Sequence, residues 1–353
     1  MKLETKREMR IGNHVVSDDS KAFVIAEIGH NHQGNVDTCE KMFQAAARAG
    51  ATAVKLQKRD NRSLYTEQFY NSPYLSENSF GNSYGEHREF LEFNKNEYMH
   101  LQKVANELGL VFFATAFDFA SADFLLDLKV PVIKIASGDL RSAPLLTYLA
   151  KSNTPLIIST GGSSIEEIKR AMEDVNPANV ALLQCTAAYP ADPIEMDLKV
   201  IQQFRDVFPN TTIGLSSHDR GIAFPVVAFA LGARIIEKHF TIDRSMKGTD
   251  HSFSLEPTGM EKMVRDLQLT RLALGDGIKK VYEKEKEPVR KMSKMLVYSH
   301  DLVAGSIIKS TDFSLKSPND GVSPQLIDKF IGKKLLKDVF TNEIVAFNHI
   351  VES

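Results

Sequence analysis

Eight short runs of β-branched, aromatic and aliphatic residues recur along the first three-quarters of the chain. They are FVIAEI at 23–28, TAVKLQ at 52–57, VFFAT at 111–115, VIKIAS at 132–137, LIIST at 156–160, VALLQC at 180–185, TIGLS at 212–216 and RIIEKHF at 234–240. Near-continuous apolar runs of this length are what a strand buried on both faces of a parallel sheet needs. Between most of them lie segments with helical periodicity, such as VDTCEKMFQAAARAG, NEYMHLQKVANELG, ASADFLLDLK and SIEEIKRAMEDV. The order is therefore βαβα, and eight strands in that order predict a closed (β/α)8 TIM barrel of the α/β class. An open doubly wound sheet would want a glycine-rich fingerprint on its first strand-to-helix turn, and Gly29-His30-Asn31-His32-Gln33-Gly34 does not supply one.

The barrel is expected over residues 1–275. A mixed-charge stretch, KKVYEKEKEPVRKMSK, follows; its alternating signs read as a solvated linker over 276–292, partly helical, rather than a binding patch. From 293 to 353 the pieces MLVYS, SIIKS, FSLKS and EIVAFNH, broken by Gly, Pro, Asn and Asp, predict a small β-rich second domain. The long aromatic and polar segment Gln68–Phe93 falls where the second barrel loop belongs and is expected to wall or cover the substrate side.

Charge excludes some partners. Forty-three basic and forty-five acidic residues give a formal net charge of −2, so no broad basic field is available for nucleic acid or an anionic membrane. Cys39 and Cys185 stand far apart with no CxxC or Cys/His cluster, which argues against disulfides and zinc modules and for a reducing compartment. The polar start MKLETKREMRIGN is unlike a secretory signal, and the most apolar stretch, 225–236, is short and contains Gly232 and Arg234. A cytoplasmic protein is expected.

In a parallel barrel the chemistry gathers at the carboxyl ends of the strands. Here those ends carry Glu27, Lys55, Gln57, Thr115, Lys134, Ser137, Ser159, Gln184, Thr186, Ser216, His218, Glu237 and His239. Two ammonium groups among hydroxyls on one mouth suit a small, highly charged phosphate or phosphoenol substrate. An unpaired lysine inside a doubly buried strand is too costly to be incidental. His218 and His239, near the ends of adjacent strands, could share one divalent metal, with Mn2+, Co2+ or Zn2+ suited to the ligand type; on spacing alone, ordinary hydrogen-bonded histidines fit equally well. His30 and His32 are read as holding their own loop through local hydrogen bonds. Glu27 closes an apolar strand, where a general-base or electrostatic role is favoured over a salt bridge.

Taken together, EIGHNHQG at 27–34, VKLQK at 54–58, KIASGD at 134–139, ISTGG at 158–162, LLQCTAAYP at 182–190, GLSSHD at 214–219, EKHFT at 237–241 and GTDHSFSLEP at 248–257 resemble the sialic acid synthases. The tail resembles their antifreeze-like (SAF) domain. The resemblance implies a transferase that joins the enol carbon of phosphoenolpyruvate to the aldehyde of open-chain N-acetylmannosamine. Water then adds at the enol-ether carbon and phosphate leaves by carbon–oxygen cleavage. It implies phosphoenolpyruvate contacts from Lys55, Gln57, Thr115, Lys134, Ser137, Ser159 and Ser216. It also implies a catalytic role for Glu27 and metal ligation by His218 and His239, with Mn2+ first and Mg2+ or Co2+ as alternatives. For the sugar it implies Phe117, Asp139, Tyr189 and Asp250.

The sugar itself is less sharply indicated. YGEHR at 84–88, LEF at 91–93 and SLEP at 254–257 look like the animal-type enzymes, whose substrate is the 6-phosphate. A second dianion could not share Lys55 and Lys134; Arg59, Arg62 and Arg88, in or beside the long second loop, are candidates to meet it at the far end of the sugar, but their reading as solvated lid residues is favoured. Free N-acetylmannosamine, giving N-acetylneuraminate, is therefore the expected substrate. The alternatives are its 6-phosphate or a 2,4-diacetamido sugar leading to legionaminic or pseudaminic acid. A silent carbohydrate-binding protein is disfavoured because Glu27, both lysines and both histidines are present. The resemblance also implies a domain-swapped homodimer; Lys316-Ser317-Pro318 stands where bacterial members place an arginine that reaches the partner's site.

Overall fold

Parallel pairing passes from strand to strand through a full circle in the computed structural model, which describes residues 7–351. In barrel order the strands are Phe23–Gly29, Ala53–Lys58, Val111–Ala116, Ile133–Ile135, Leu156–Ser159, Val180–Cys185, Thr212–Ser217 and Ile235–His239. The eighth pairs with the first, Ile235 opposite Phe23 and His239 opposite Glu27, so the barrel closes without an exposed edge. Each run anticipated as a strand is one. Ser137 instead opens a 3-10 turn, Ser137–Asp139, just beyond the fourth strand.

The helices lie on the outside and follow their local signals. Val36–Arg48 begins at Asn35, whose side chain accepts from the Thr38 amide, and buries Cys39, Met42, Phe43 and two alanines on one face. Ile165–Glu173 begins with a Ser164/Glu167 capping box. Because residues two apart on a strand share a face, Lys55 with Gln57, and Glu237 with His239, project together into the mouth.

The first strand ends irregularly: Glu27 is opposite Lys55, but Gly29, not Ile28, is opposite Leu56. Gly29 has φ +54°, and a Cβ there would stand 3.3 Å from both the Gln57 amide nitrogen and a Glu27 carboxylate oxygen. Only glycine meets both demands, and the bulge turns the chain away just after Glu27.

The opposite end of the barrel holds an antiparallel hairpin, Glu8–Ile11 with His14–Ser17, that the sequence reading did not anticipate. Met9, Ile11 and Val16 join the barrel core. The alternation Met9-Arg10-Ile11 was the available signal, hidden in an otherwise polar start.

The chain separates into two compact units, Met1–Gly275 and Asp276–Ser353. The second begins with the mixed-charge stretch, where Glu283–Met292 forms a helix with no buried residue. Beyond it Met295–Tyr298 pairs antiparallel with Phe313–Lys316. The SIIKS and EIVAFNH pieces contribute only single bridges, Ile307 to Lys334 and Ile344 to Val297, rather than strands. Their side chains still build the small core, in which Leu296, Tyr298, Ile308, Phe330 and Val345 are buried. Among the described residues no helix is long and apolar enough to cross a membrane.

Candidate active site

A cavity of about 700 Å³ opens at the carboxyl ends of the barrel strands. It is lined by Glu27, Lys55, Gln57, Thr115, Phe117, Lys134, Ser137, Asp139, Ser159, Tyr189, Ser216, His218, His239 and Asp250, so the structure brings together every residue to which the family resemblance gave a catalytic, binding or metal role. Two strand-end residues do not join it. The Gln184 amide donates to the Met196 carbonyl at 3.1 Å, and the Thr186 hydroxyl donates to the Glu195 carbonyl at 2.8 Å. Both are spent holding the segment after the sixth strand.

The floor is a buried charge cluster. Lys55 Nζ lies 2.6 Å from Glu27 Oε2 and 3.9 Å from Glu237 Oε1, and it donates to Thr115 Oγ1 at 2.8 Å. Gln57 donates to the other Glu27 oxygen at 2.8 Å. Glu27 is thus ion-paired with Lys55, a partnership that its position at the end of an apolar strand does not by itself favour. Burial pushes its carboxyl above the ordinary range; Lys55 opposes this and Glu237 adds to it. Glu237 goes the other way: burial would raise it, but Lys55 and Lys134 together hold it below the usual carboxylate range. Glu237, recognised as a strand end but given no part in the site, is therefore a central member of the cluster.

Lys134 is held by neutral acceptors, Ser159 Oγ at 2.6 Å and the Ile135 carbonyl at 2.9 Å. Burial lowers its affinity for a proton, with Glu237 opposing and Lys55 reinforcing the shift. A buried ammonium without a close carboxylate is costly, and an anion arriving beside it recovers that cost. Ser137 Oγ accepts from the Gly161 amide at 3.0 Å, and Ser216 Oγ donates to Glu237 at 3.3 Å, so hydroxyls surround the same pocket.

To one side, the His218 and His239 rings stand 5.3 Å apart between centroids, with the Tyr189 ring tilted over His218 at 4.2 Å. His218 Nδ1 lies 2.8 Å from the Thr186 carbonyl, which requires a proton on Nδ1 and leaves Nε2 as the lone-pair nitrogen. Burial, then repulsion from His239, brings His218 down to about 3; burial lowers His239 as well. Both are neutral imidazoles near neutral pH, as metal ligation demands. His239 Nδ1 is buried without a hydrogen-bond partner, 3.6 Å from Asp250. This donor set fits a divalent cation completed by substrate or water oxygens, although no group of three protein ligands occurs among the described residues.

The far wall overturns one expectation. Arg59 and Arg88 are not solvated: both line the cavity, and Arg59 is only 8% exposed. Arg62 lies outside it, over the Tyr70 ring at 3.8 Å. Arg59 stacks on Phe117 at 3.6 Å and donates to Gln57 Oε1 at 2.8 Å. Arg88 donates twice to the Tyr84 hydroxyl, at 3.1 and 2.9 Å. The two guanidiniums grip opposite edges of His30: Arg59 faces Nε2 at 3.3 Å and Arg88 faces Nδ1 at 3.2 Å. Guanidiniums only donate, and a neutral imidazole accepts at one nitrogen, so one of these contacts sets N–H against N–H. Burial, then Arg59 and Arg88, drive His30 well below its ordinary value, which keeps it neutral.

Among the described residues neither guanidinium pairs with a carboxylate; of the nearby Glu92, one oxygen is taken by Lys58 at 2.8 Å and the other stands 3.8 Å from His30 Nε2. The wall is rich in donors and short of acceptors. His30 is thus more than a loop fastener; His32 does act as one, accepting from the Gly34 amide at 3.1 Å and stacking on Phe93. The segment expected as a wall supplies Phe80, Tyr84, His87, Arg88 and Leu91 to the cavity.

Asp139 sits at the rim, pushed up to about 6 by burial, with Arg59 and a Ser142 hydrogen bond opposing and Asp118 adding. The folded chain therefore holds this proton at pH values where the unfolded chain has lost it. Stability falls as pH rises from about 4 to about 6 and stays lower above that window. Asp139→Asn is expected to melt at a higher temperature than wild type at pH 7.5, with the two converging below about pH 4. A gap of equal size at both ends of a melting series would show that the carboxylate's titration is not its source.

The model of the NeuB family matches residues 42–279, and that of the SAF domain residues 293–351. The chain is 37% identical to N-acetylneuraminate-9-phosphate synthase of Homo sapiens, over 94% of this chain and 93% of that one. It is 34% identical to N,N'-diacetyllegionaminic acid synthase of Campylobacter jejuni, over 92% and 99%. Among solved structures it matches N-acetylneuraminic acid synthetase of Leptospira borgpetersenii in complex with citrate, at 32% identity and a TM-score of 0.71, covering 80% of this chain and 95% of that one. With the barrel, the cavity and these likenesses in agreement, the chain belongs to the NeuB family of sialic acid synthases and carries a SAF domain.

Proposed function

We propose that this enzyme condenses phosphoenolpyruvate with the open-chain form of N-acetylmannosamine 6-phosphate and water, releasing inorganic phosphate and a 9-phosphorylated sialic acid. The observation that carries the reading is the presence of two separate cationic clusters in one cavity: Lys55 and Lys134 on the floor, Arg59 and Arg88 on the wall. A phosphoenol anion suits the lysines and their hydroxyls. A second dianion would repel the first if it shared them, and the acceptor-poor arginine pair offers it separate, bidentate donors. This favours the 6-phosphate over the free sugar that the sequence suggested. The 37% identity to a human synthase named for the 9-phosphate product supports the same choice.

In the proposed reaction the enol carbon of phosphoenolpyruvate bonds to the sugar's aldehyde carbon, water adds at the enol-ether carbon, and the carbon–oxygen bond to phosphate breaks. Lys55 and Lys134 hold the phosphoenol group, with Gln57, Thr115, Ser137, Ser159 and Ser216 as its neutral partners. Glu27, poised by Lys55 and Gln57, exchanges the proton of the attacking water. Phe117, Asp139, Tyr189 and Asp250 orient the sugar. His218 and His239 hold a divalent cation, Mn2+ in the first instance, which when bound supplies Lewis-acid polarisation of the aldehyde oxygen. The free Cys39 and Cys185 are consistent with a reducing, cytoplasmic setting.

Phosphate release with the free sugar, its 6-phosphate and a 2,4-diacetamido sugar tests the substrate. The expected result is at least a hundredfold higher kcat/KM for the 6-phosphate, about 2.7 kcal/mol of transition-state discrimination. Arg88→Ala should raise KM for that sugar about tenfold or more with little change in KM for phosphoenolpyruvate. Equal or better turnover of the free sugar would overturn the phosphorylated reading.

Chelation is expected to abolish turnover and Mn2+ to restore it, with His218→Ala and His239→Ala inactive yet folded by circular dichroism. Full activity of a metal-free preparation would sink the metal assignment. A domain-swapped homodimer is also proposed, since the second unit leaves Val303, Leu336 and Phe340 more than half exposed. Truncation after Gly275 should give a folded monomeric barrel with poor turnover; normal kinetics from that barrel would dismiss the swap.

A further inference from the structure

His218 lies just beyond the reach of the sheet. Pairing between the seventh and eighth strands ends with Ser217 opposite Lys238, so ladder hydrogen bonds fix the strand up to Ser217 and no farther. His239, by contrast, is the last residue of the eighth strand and is paired with Glu27. One imidazole is thus carried by the sheet and the other by the start of a loop.

The loop is fastened at the next residue. Lys238 points away from the cavity, on the strand face opposite Glu237 and His239, and is 1% exposed. Its ammonium donates to the Asp219 main-chain carbonyl at 2.6 Å and to Asp219 Oδ1 at 2.8 Å. The Ser217 hydroxyl donates to the same carboxylate oxygen. Asp219 is 2% exposed and Ser217 1%, so the whole knot is dry. A buried ion pair is a poor source of stability, since apolar side chains of the same volume often serve as well. Its particular merit is geometric: both the side chain and the backbone of Asp219 are tied to the residue immediately before His239.

We infer that the buried Lys238–Asp219 pair is a positioning device for the metal centre, clamping the loop that carries His218 to the strand that carries His239 and so setting the separation of the two imidazoles. Neither residue lines the cavity. The inference rests on the assignment of His218 and His239 as ligands in the proposed function, and it adds a supporting shell to that assignment. Together with the Thr186 carbonyl on His218 Nδ1, the clamp leaves the ring little freedom in either translation or rotation.

The test is Mn2+ affinity of the full chain, followed by the electron paramagnetic resonance of free Mn2+, with thermal melting as a separate readout. Lys238→Met combined with Asp219→Leu removes the clamp without stranding a buried charge. It is expected to melt close to wild type yet bind Mn2+ about 10–100-fold more weakly, the usual scale for losing outer-shell support. Asp219→Asn, which keeps the shape and the main-chain bond, provides a second variant, expected to fold and to show an intermediate loss. A merely structural role would shift melting while leaving the affinity of the folded protein unchanged. Wild-type affinity in either folded variant overturns the clamp; failure of the wild type itself to bind Mn2+ removes the metal reading, and the clamp with it.

Discussion

The ion pair between Lys55 and Glu27, 2.6 Å apart and nearly out of reach of water, is the contact around which the barrel mouth is organised. Neither charge could stay buried alone, so the first and second strands must keep the register that sets Glu27 opposite Lys55. The bulge at Gly29 and the Gln57 amide exist in relation to that pair. Closure between the eighth and first strands then brings Glu237 to the same lysine and His239 beside Glu27.

The floor and the wall use positive charge differently. On the floor, two lysines meet two carboxylates and several hydroxyls, which gives a nearly balanced cluster with one ammonium, Lys134, left to neutral partners. On the wall, two guanidiniums share one neutral imidazole, with the Tyr84 hydroxyl accepting from Arg88 and the Gln57 side-chain oxygen from Arg59. A balanced cluster can hold its own geometry; an acceptor-poor one is completed by what binds to it. That contrast is the physical ground for the proposal of two anionic substrates held at separate places.

Residues outside the cavity share the work of holding it. The Lys238–Asp219 pair lies behind the eighth strand, while Gln184 and Thr186 brace the segment after the sixth and the Thr186 carbonyl orients His218. Such support is expected wherever catalytic side chains sit on strand ends that the hydrogen-bonded ladder no longer constrains.

The sequence by itself determined the barrel, because eight apolar runs alternating with helical segments have few other ways to bury themselves, and it pointed to the site, because most polar groups closing such runs face the mouth, although Gln184 and Lys238 turn away from it. The motifs that resemble the sialic acid synthases pointed to the same residues. Other features needed the folded chain. Met9 and Ile11 were masked by polar neighbours until the barrel base gave them something to pack against. The SIIKS and EIVAFNH pieces have strand composition but pair through single bridges, since the small core is wrapped by turns. Arg59 and Arg88 read as lid arginines because charge on a long loop is ordinarily solvated; only tertiary packing turned both onto opposite edges of His30. Partnering of a long, flexible cation depends on what lies across the cavity, and His30 meets residues 29 and 58 positions away along the chain for reasons no local pattern contains.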